Sequence, residues 1–321
     1  MPRIQILIRD RKYWLLGLFL LLVILATLYV FNASIPGRAV EGCPQGCATA
    51  SVRSAGPLRV LSLNMLHGFP DFKDLPLRLD LIAKEIRRLD ADVVLLQEVP
   101  WTRATGNGAK FLAQQLGYNY LYYRAEGNRR LIFFETGQAI LSRFPLKEAI
   151  FSVLPPQAGF FESRAALGAT AATPWGDVPF FVAHLTDKKD DPQVNRGQAG
   201  SLKAFVEAHT TRLAVVGGDF NAQEDSPQIL ALSSSWIDAY RVLHPDDPGL
   251  TCCIDDLTSA PGEALGERLE ERIDYIFLVT KTGKSGQILS AQHAFYRPFP
   301  AGSGWQWASD HTGLLVELDP K

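Results

Sequence analysis

The sequence lacks an excess of charge. Its 321 residues carry 32 Lys and Arg against 34 Asp and Glu, a formal net charge of −2. That argues against a nucleic-acid binder working through an overall basic surface, and leaves room only for a local basic patch. The chain also lacks the composition of a disordered protein. Hydrophobic residues make up 47% and charged residues 21%, as in an ordinary globular protein. It has no internal repeat and no long low-complexity run. Cysteine is sparse, with 4 residues at positions 43, 47, 252 and 253. None stands in a C-x2-C pair matched to histidines, so zinc-ligand spacing is absent. Cys43 and Cys47 lie in EGCPQGC and can close a small loop, whereas the adjacent Cys252 and Cys253 are awkwardly placed for an ordinary bridge.

Charge is missing altogether from residues 14–31, which read WLLGLFLLLVILATLYVF. As a helix this run spans about 27 Å, close to the hydrocarbon core of a bilayer. It has no polar face, so it does not read as a core helix. Arg3, Arg9, Arg11 and Lys12 precede it, while Arg38 alone follows within twenty residues. The positive-inside bias then puts the N-terminus in the cytoplasm and the rest outside, where disulfides are allowed. The expected organisation is a cytoplasmic tail at 1–13, a single transmembrane helix at 14–31, a Gly/Pro-rich linker at 32–57 and one domain at 58–321. A second reading stays open. The run is a signal peptide, cleaved near the small residues Ala33 and Ser34, and the protein is secreted.

Beyond the linker, short apolar segments alternate with amphipathic ones. Residues 58–64, 92–97, 118–123, 165–171, 178–184, 213–217, 273–279 and 314–318 read as strands, and 131–134 with 138–142 as a hairpin region. Leu79, Ile82, Ala83, Ile86 and Leu89 fall at helical spacing, and 110–116 suggests a second helix. Asp191 followed by Pro192 predicts a helix start, with the helix running to about residue 208. Residues 244–271 are polar and rich in Pro and Gly, as in a long surface loop. The mixture predicts an α/β sandwich with a site at the strand ends.

Polar residues stand at or just beyond those ends: Asn64 in LSLNMLHG, Glu98 in LLQEV, His184 in FVAHL, Asp219 and Asn221 in VVGGDFNA, Asp274 in RIDYIF, and Asp310 with His311 in SDHTG. Singly, each is a rim residue, a satisfied histidine or an Asx-turn. Together and in this order, over about 58–318, they resemble the endonuclease/exonuclease/phosphatase (DNase-I-like) superfamily. The GDFNA and SDH segments are the most specific elements.

The resemblance implies a four-layer α/β/β/α sandwich, two sheets face to face with helices outside. It also implies hydrolysis of a phosphate ester with Mg2+ or Mn2+. Such chemistry needs an activated water and neutralised phosphoryl oxygens, which a hard cation on oxygen ligands supplies. On this reading Glu98, Asn64 and Asp310 hold the metal, and Asp219 orients and deprotonates the water. Asn221, two residues on and sharing a face if the segment is extended, donates to a phosphate oxygen. Asp274 fixes the tautomer of His311 and raises its pKa, so that protonated His311 meets the developing charge. His184 gives a second donor, and Arg164 in FESRAAL contacts phosphate.

Some departures narrow the branch. The relatives pair the middle histidine with a glutamate before an earlier strand, but here that region reads GNRRLIFF. Abasic-site endonucleases carry a tyrosine where this chain has His184 or Ser163. Inositol polyphosphate phosphatases carry WCDR-like and DxNYR-like segments that are absent here.

The expected substrate is a phosphodiester, either a phospholipid or a nucleic acid, and no obligate protein partner is indicated. Aromatics in residues 295–307, among them Phe299, Trp305 and Trp307, either dip into a membrane interface or cap the core. Arg124, Arg129, Arg130, Lys188 and Lys189 either track a nucleic-acid backbone or form a solvated rim. A catalytically inactive, membrane-anchored binding module of the same fold is the non-enzymatic alternative.

Overall fold

The computed structural model describes residues 2–53, 56–160, 162–187, 189–261, 269–281 and 286–319, with side chains described outside residues 2–10 and 30–34. The long apolar run is helical. Helix α1 (Pro2–Ser34) contains a stretch from Arg11 to Tyr29 with a mean hydropathy of 2.0, none of it buried in the protein.

One sheet contains β1 (Glu41–Cys43), β2 (Leu58–Asn64), β3 (Val93–Thr102), β4 (Gly106–Asn107), β5 (Asn119–Asn128), β6 (Phe134–Ser142), β13 (Gln287–Ala294) and β16 (Gly313–Asp319). Its strand order is β1-β5-β6-β3-β2-β16-β13, with β4 paired to β3. The other holds β7 (Leu146–Val153), β8 (Ala165–Thr173), β9 (Gly176–His184), β10 (Leu213–Asp219), β11 (Ile237–Asp238) and β12 (Asp274–Thr280), in the order β11-β12-β10-β9-β8-β7. A small hairpin, β14 (Phe299–Ala301) with β15 (Gly304–Gln306), stands apart.

Three apolar clusters make the layers. Val60, Val93, Leu95 and Ile140 of the first sheet meet Leu167, Val182, Val215 and Ile276 of the second. The opposite face of the first sheet, with Leu61, Leu63, Val94 and Leu96, is covered by α2 (Leu75–Leu89) and α3 (Gly108–Leu116). The outer face of the second is covered by α4 (Pro192–Ala208) and α5 (Pro227–Ser233) through Leu202, Val206, Ile229 and Leu232. This is the four-layer α/β/β/α sandwich. The central strands are wetted on neither face, which explains why they read as unbroken apolar runs.

The structure differs from expectation in places. The stretch 32–57 is not a bare linker. Residues 41–43 add β1 to the edge strand β5, and the Gly37 N–H donates to the Arg124 carbonyl oxygen at 2.9 Å. Leu131 and Ile132 lie in the turn between β5 and β6. Asp191 precedes α4 as expected but makes no side-chain capping bond. Cys43 pairs with Cys47, and the adjacent Cys252 and Cys253 are also bonded to each other. Within 244–271 the described residues form only isolated bridges, and 262–268 lie outside the described residues.

Candidate active site

Strand register assembles half of the site. Asp219, the last residue of β10, stands directly opposite Asp274 on antiparallel β12 and beside His184 on parallel β9. His184 in turn faces Ala165 on β8, the neighbour of Arg164. Three adjacent strands of the second sheet thus end in Asp274, Asp219 and His184.

The first sheet supplies the rest. Asn64 closes β2 beside Gln97, and the β3–β6 register slips between Leu96 and Val99. In that irregularity Glu98 takes a left-handed backbone, φ 52°, an arrangement that re-aims a side chain at a strand end. Asp310 and His311 arrive from the segment just before β16.

Asp219 is the hub. Its Oδ2 accepts from Asn64 Nδ2 at 2.9 Å and lies 3.6 Å from His184 Nε2 and 3.9 Å from His311 Nε2. Its Oδ1 accepts from the Asn221 N–H at 2.9 Å. This is an Asx-turn, with Asn221 at φ 47°. The expectation that Asp219 and Asn221 share a face of an extended segment is therefore replaced by a turn, which still aims both at one place. Asn221 Nδ2 reaches His184 Nε2 at 3.1 Å and the Leu185 carbonyl oxygen at 3.0 Å. His311 Nδ1 sits 2.8 Å from Asp274 Oδ2.

Asn64 bridges the two halves, since its Nδ2 also donates to Glu98 Oε1 at 3.2 Å. Its Oδ1 accepts from the Leu66 N–H at 3.0 Å. The amide here holds two carboxylates through its nitrogen, and its oxygen accepts from the Leu66 N–H with a second lone pair left over. Flipping it would set an NH2 against the Leu66 N–H.

Burial and charge set the protonation states. Burial pushes the Asp219 carboxyl up and the facing Asp274 adds to this; His311, Asn64 and the Asn221 N–H pull back, leaving it at about 7. Burial also raises Asp310, against the pull of His311. Glu98 goes the other way. Burial would raise it, but His67, His184 and the His67 N–H bring it down to about 2. Burial would lower His311, yet Asp274, Asp219 and Asp310 hold it well above the ordinary histidine value. Burial and then the Arg164 charge drive His184 well below that value. The two histidines are thus set apart, one cationic and one neutral.

The nine residues named from the sequence as candidate catalytic, substrate or metal groups all lie in or beside this cluster. Arg164 Nη1 lies 3.1 Å from His184 Nδ1 and 3.2 Å from Nε2. It is held by Glu162 at 2.9 Å, and Glu162 also accepts from the Thr186 hydroxyl at 2.7 Å. Glu126, immediately before the GNRRLIFF string, meets the Ser163 N–H at 3.3 Å and not His184. Burial lifts Glu126 to about 7, against Arg164.

Sequence reasoning passed over His67, although it lies in the LSLNMLHG segment. Its Nε2 is 3.5 Å from Glu98 Oε2 and its N–H donates there at 3.0 Å. It also passed over Cys252, whose Sγ lies 3.4 Å from His311 Nε2. No spacing rule would have found a contact between residues 252 and 311.

Of the aromatics in 295–307, Phe295 and Trp307 are buried, Phe299 and Trp305 are half-buried and Tyr296 is exposed. Trp307 is buried with Ile254 and Leu269, and Phe299 packs on the cluster beneath α2. The basic residues are mostly engaged. Arg124 and Arg129 pair with Glu135, and Lys189 pairs with Glu271; Lys188 lies outside the described residues.

The donor set fits a hard cation. Four carboxylates, Glu98, Asp219, Asp274 and Asp310, converge with few compensating charges, and Asp274 Oδ1 is buried without a hydrogen bond. Ligand atoms of Asp219, Asp274 and His311 all lie within 4.8 Å of one another. Oxygen donors in excess suit Mg2+ or Mn2+ better than a thiophilic metal. Because Asp219 and Asp310 sit above their ordinary values, a bound cation must compete with protons. Apparent Mg2+ affinity is expected to weaken as pH falls through about 7, where Asp219 takes up its proton and the site beside Glu98 and Asp310 loses a negative charge. Titration calorimetry across pH 5.5–8 checks this, and a flat affinity would refute it.

Residues 61–311 match the sequence model of the Endonuclease/Exonuclease/phosphatase family. No curated protein matches the chain. Among solved structures, the human Nocturnin catalytic domain with bound sulfate anion is 20% identical, with a TM-score of 0.61, over 85% of this chain and 97% of that one. D. rerio TDP2 complexed with single strand DNA product is 15% identical, with a TM-score of 0.64, over 83% and 100%. The Bacteroides thetaiotaomicron mannosyl-6-phosphatase is 18% identical, with a TM-score of 0.63, over 82% and 99%. At these identities the likeness to solved structures shows the fold alone.

Proposed function

Because the chain belongs to the Endonuclease/Exonuclease/phosphatase family, we propose that it is a metal-dependent phosphodiesterase, held in a membrane by α1 and acting outside the cytoplasm. The observation that carries this is the convergence on Asp219 of Asn64, His184 and His311, from both sheets.

Glu98 and Asp310 would hold the cation, with Asn64 keeping Glu98 and Asp219 apart and aligned. When bound, the cation supplies Lewis-acid neutralisation of the phosphoryl oxygens. Asp219 accepts a proton from the attacking water at Oδ2, the oxygen that His184 and His311 both approach. Its pKa of about 7 without metal falls when a cation binds beside it, so that Asp219 is ionised and ready to act as the base. Cationic His311, oriented through Nδ1 by Asp274, presents its Nε2–H to a phosphoryl oxygen. Asn221 Nδ2, which now reaches His184 Nε2 and the Leu185 carbonyl oxygen, would give a second donor on turning from His184 to the substrate. His184 stays neutral, so it aligns Asn221 and Arg164 at the site without adding charge. Arg164, steered by Glu162, brings the guanidinium that a phosphodiester anion needs.

The apolar α1 and the preceding Arg3, Arg9, Arg11 and Lys12 support an extracytoplasmic site near a lipid surface, and that favours a phospholipid over a nucleic acid. The engagement of Arg124, Arg129 and Lys189 with acidic partners supports the same choice. The structural neighbours include a protein solved with a single strand DNA product and a mannosyl-6-phosphatase, so they do not choose between the two.

The full chain in nanodiscs is expected to hydrolyse bis-p-nitrophenyl phosphate with Mg2+ or Mn2+ and to stop in EDTA. Side by side, phospholipid should be turned over and DNA or RNA spared. Full activity in chelator would refute the metal-dependent site; turnover of DNA alone would replace lipid with nucleic acid.

A further inference from the structure

The apolar helix ends against the rim of the site. The Tyr29 hydroxyl donates to the Leu131 carbonyl oxygen, in the turn between β5 and β6. After residues 30–36 the chain is fixed again on β5. The Gly37 N–H donates to the Arg124 carbonyl oxygen, and the Gly37 carbonyl oxygen accepts from the Tyr123 hydroxyl, both at 2.9 Å. A turn held on both sides of the helix exit lies at whatever surface the helix emerges from.

An apolar and basic rim gathers at that turn, with Arg130 and Phe133 on it, Phe69 from the segment after β2 and Arg103 from the turn between β3 and β4. Phe133 is 41% exposed and Phe69 49% exposed. The Phe69 ring stacks on Phe134 with centroids 4.7 Å apart. The Arg103 guanidinium lies 3.3 Å over the Phe133 ring, and Arg130 is exposed on the same turn. Exposed aromatic rings flanked by guanidinium groups match the headgroup layer, where rings sit at the acyl boundary and cations meet lipid phosphates.

We propose that the rim formed by Phe69, Phe133, Arg103 and Arg130 is seated in the headgroup layer of the bilayer that α1 spans. This rests on the reading of α1 as a retained membrane span. The partner is the lipid surface itself, and its anionic headgroups are the complement of the two arginines. The rim is also close to the chemistry. Phe134 lies 5.1 Å from the His67 ring, and His67 Nε2 is 3.5 Å from Glu98. A phosphodiester in a lipid headgroup would thus reach Glu98 without the lipid leaving the bilayer.

The test uses the full chain in nanodiscs of phosphatidylcholine with phosphatidylglycerol. Its native cysteines are paired, so a nitroxide can be placed on one introduced cysteine at a time: Leu21→Cys in α1, Ala104→Cys beside the rim, and Leu230→Cys on α5. Oxygen and a water-soluble nickel chelate report depth. The label at 21 should lie in hydrocarbon, that at 104 at the headgroup level, and that at 230 in water. Adding Phe69→Ser and Phe133→Ser should move the label at 104 toward water by severalfold in chelate accessibility. A label at 104 as wet as that at 230, with the label at 21 in hydrocarbon, would overturn the rim and leave the span standing. Loss of residue 21 from the mature chain would instead overturn the span, and the rim with it.

Discussion

Asp219→Asn should reduce phosphodiester turnover by about 10^2- to 10^4-fold, the usual worth of a positioned base, while making the metal-free protein more stable at pH 8. The two effects have one origin. The Asp219 carboxyl is buried, and Asp274 stands opposite it across β10 and β12. Its folded pKa of about 7 lies above the ordinary 3.8. A raised carboxyl stabilises the fold most below its unfolded pKa, and that stability is lost as pH rises through about 7. At pH 8 the ionised group costs a few kcal/mol, on the order of 2–4. An amide of the same shape escapes the charge cost and gives back only part of it, where its NH2 meets the Asn64 Nδ2 donor. Thermal unfolding in EDTA should therefore show the variant above wild type at pH 8, with the gap closing toward pH 4. A variant that loses both activity and stability would show that Asp219 is structural. His311→Ala provides the contrast. It should lose turnover as severely but also lower the melting temperature, because buried Asp274 then has a charge with no partner.

How much of this was legible follows from burial. Strands β2, β3, β10 and β12 are buried on both faces and stand out as apolar runs. Strands β7 and β13, at sheet edges, are half exposed and mix Lys, Glu, Gln and Ser with apolar residues, so their pattern does not rise above that of a loop. The site was legible because Asn64, His184 and Asp219 close their strands, Asp274 opens β12 and His311 stands just before β16, and a break between apolar and polar is a signal in one dimension. Partnerships were not legible where they depend on register or on the long loop. Nothing in the sequence places Asp274 opposite Asp219, or Cys252 against His311. Residues 41–43 look like linker because a three-residue edge strand has no periodicity, and only the open edge of β5 makes them a strand.

The residue hardest to read is Arg78, and its loss should rank with the largest stability effects in the protein. It falls among Leu75, Leu79 and Ile82 on the apolar side of α2, where a charge looks misplaced, and it is only 1% exposed. Its guanidinium donates from Nη1 to the Met65 carbonyl oxygen at 2.8 Å and to that of Ala308 at 3.2 Å, and from Nη2 to that of Leu66 at 2.8 Å. Those carbonyls belong to the segments that follow Asn64 and precede Asp310. One planar fork therefore ties together the two ends that bring candidate metal ligands to the site. Burial lowers its pKa, while Asp310 and Glu98 counteract this from across the site. Arg78→Met fills similar space but leaves buried carbonyls without donors. It should cost about 3–5 kcal/mol, which is on the order of 10 °C in melting temperature for a domain of this size. Arg78→Lys keeps the charge but lacks the fork, so it should retain most of the stability and still weaken Mg2+ binding as the two segments drift apart. Calorimetric unfolding together with metal titration separates these effects. A methionine variant melting within about one degree of wild type would show that the segments hold without the fork.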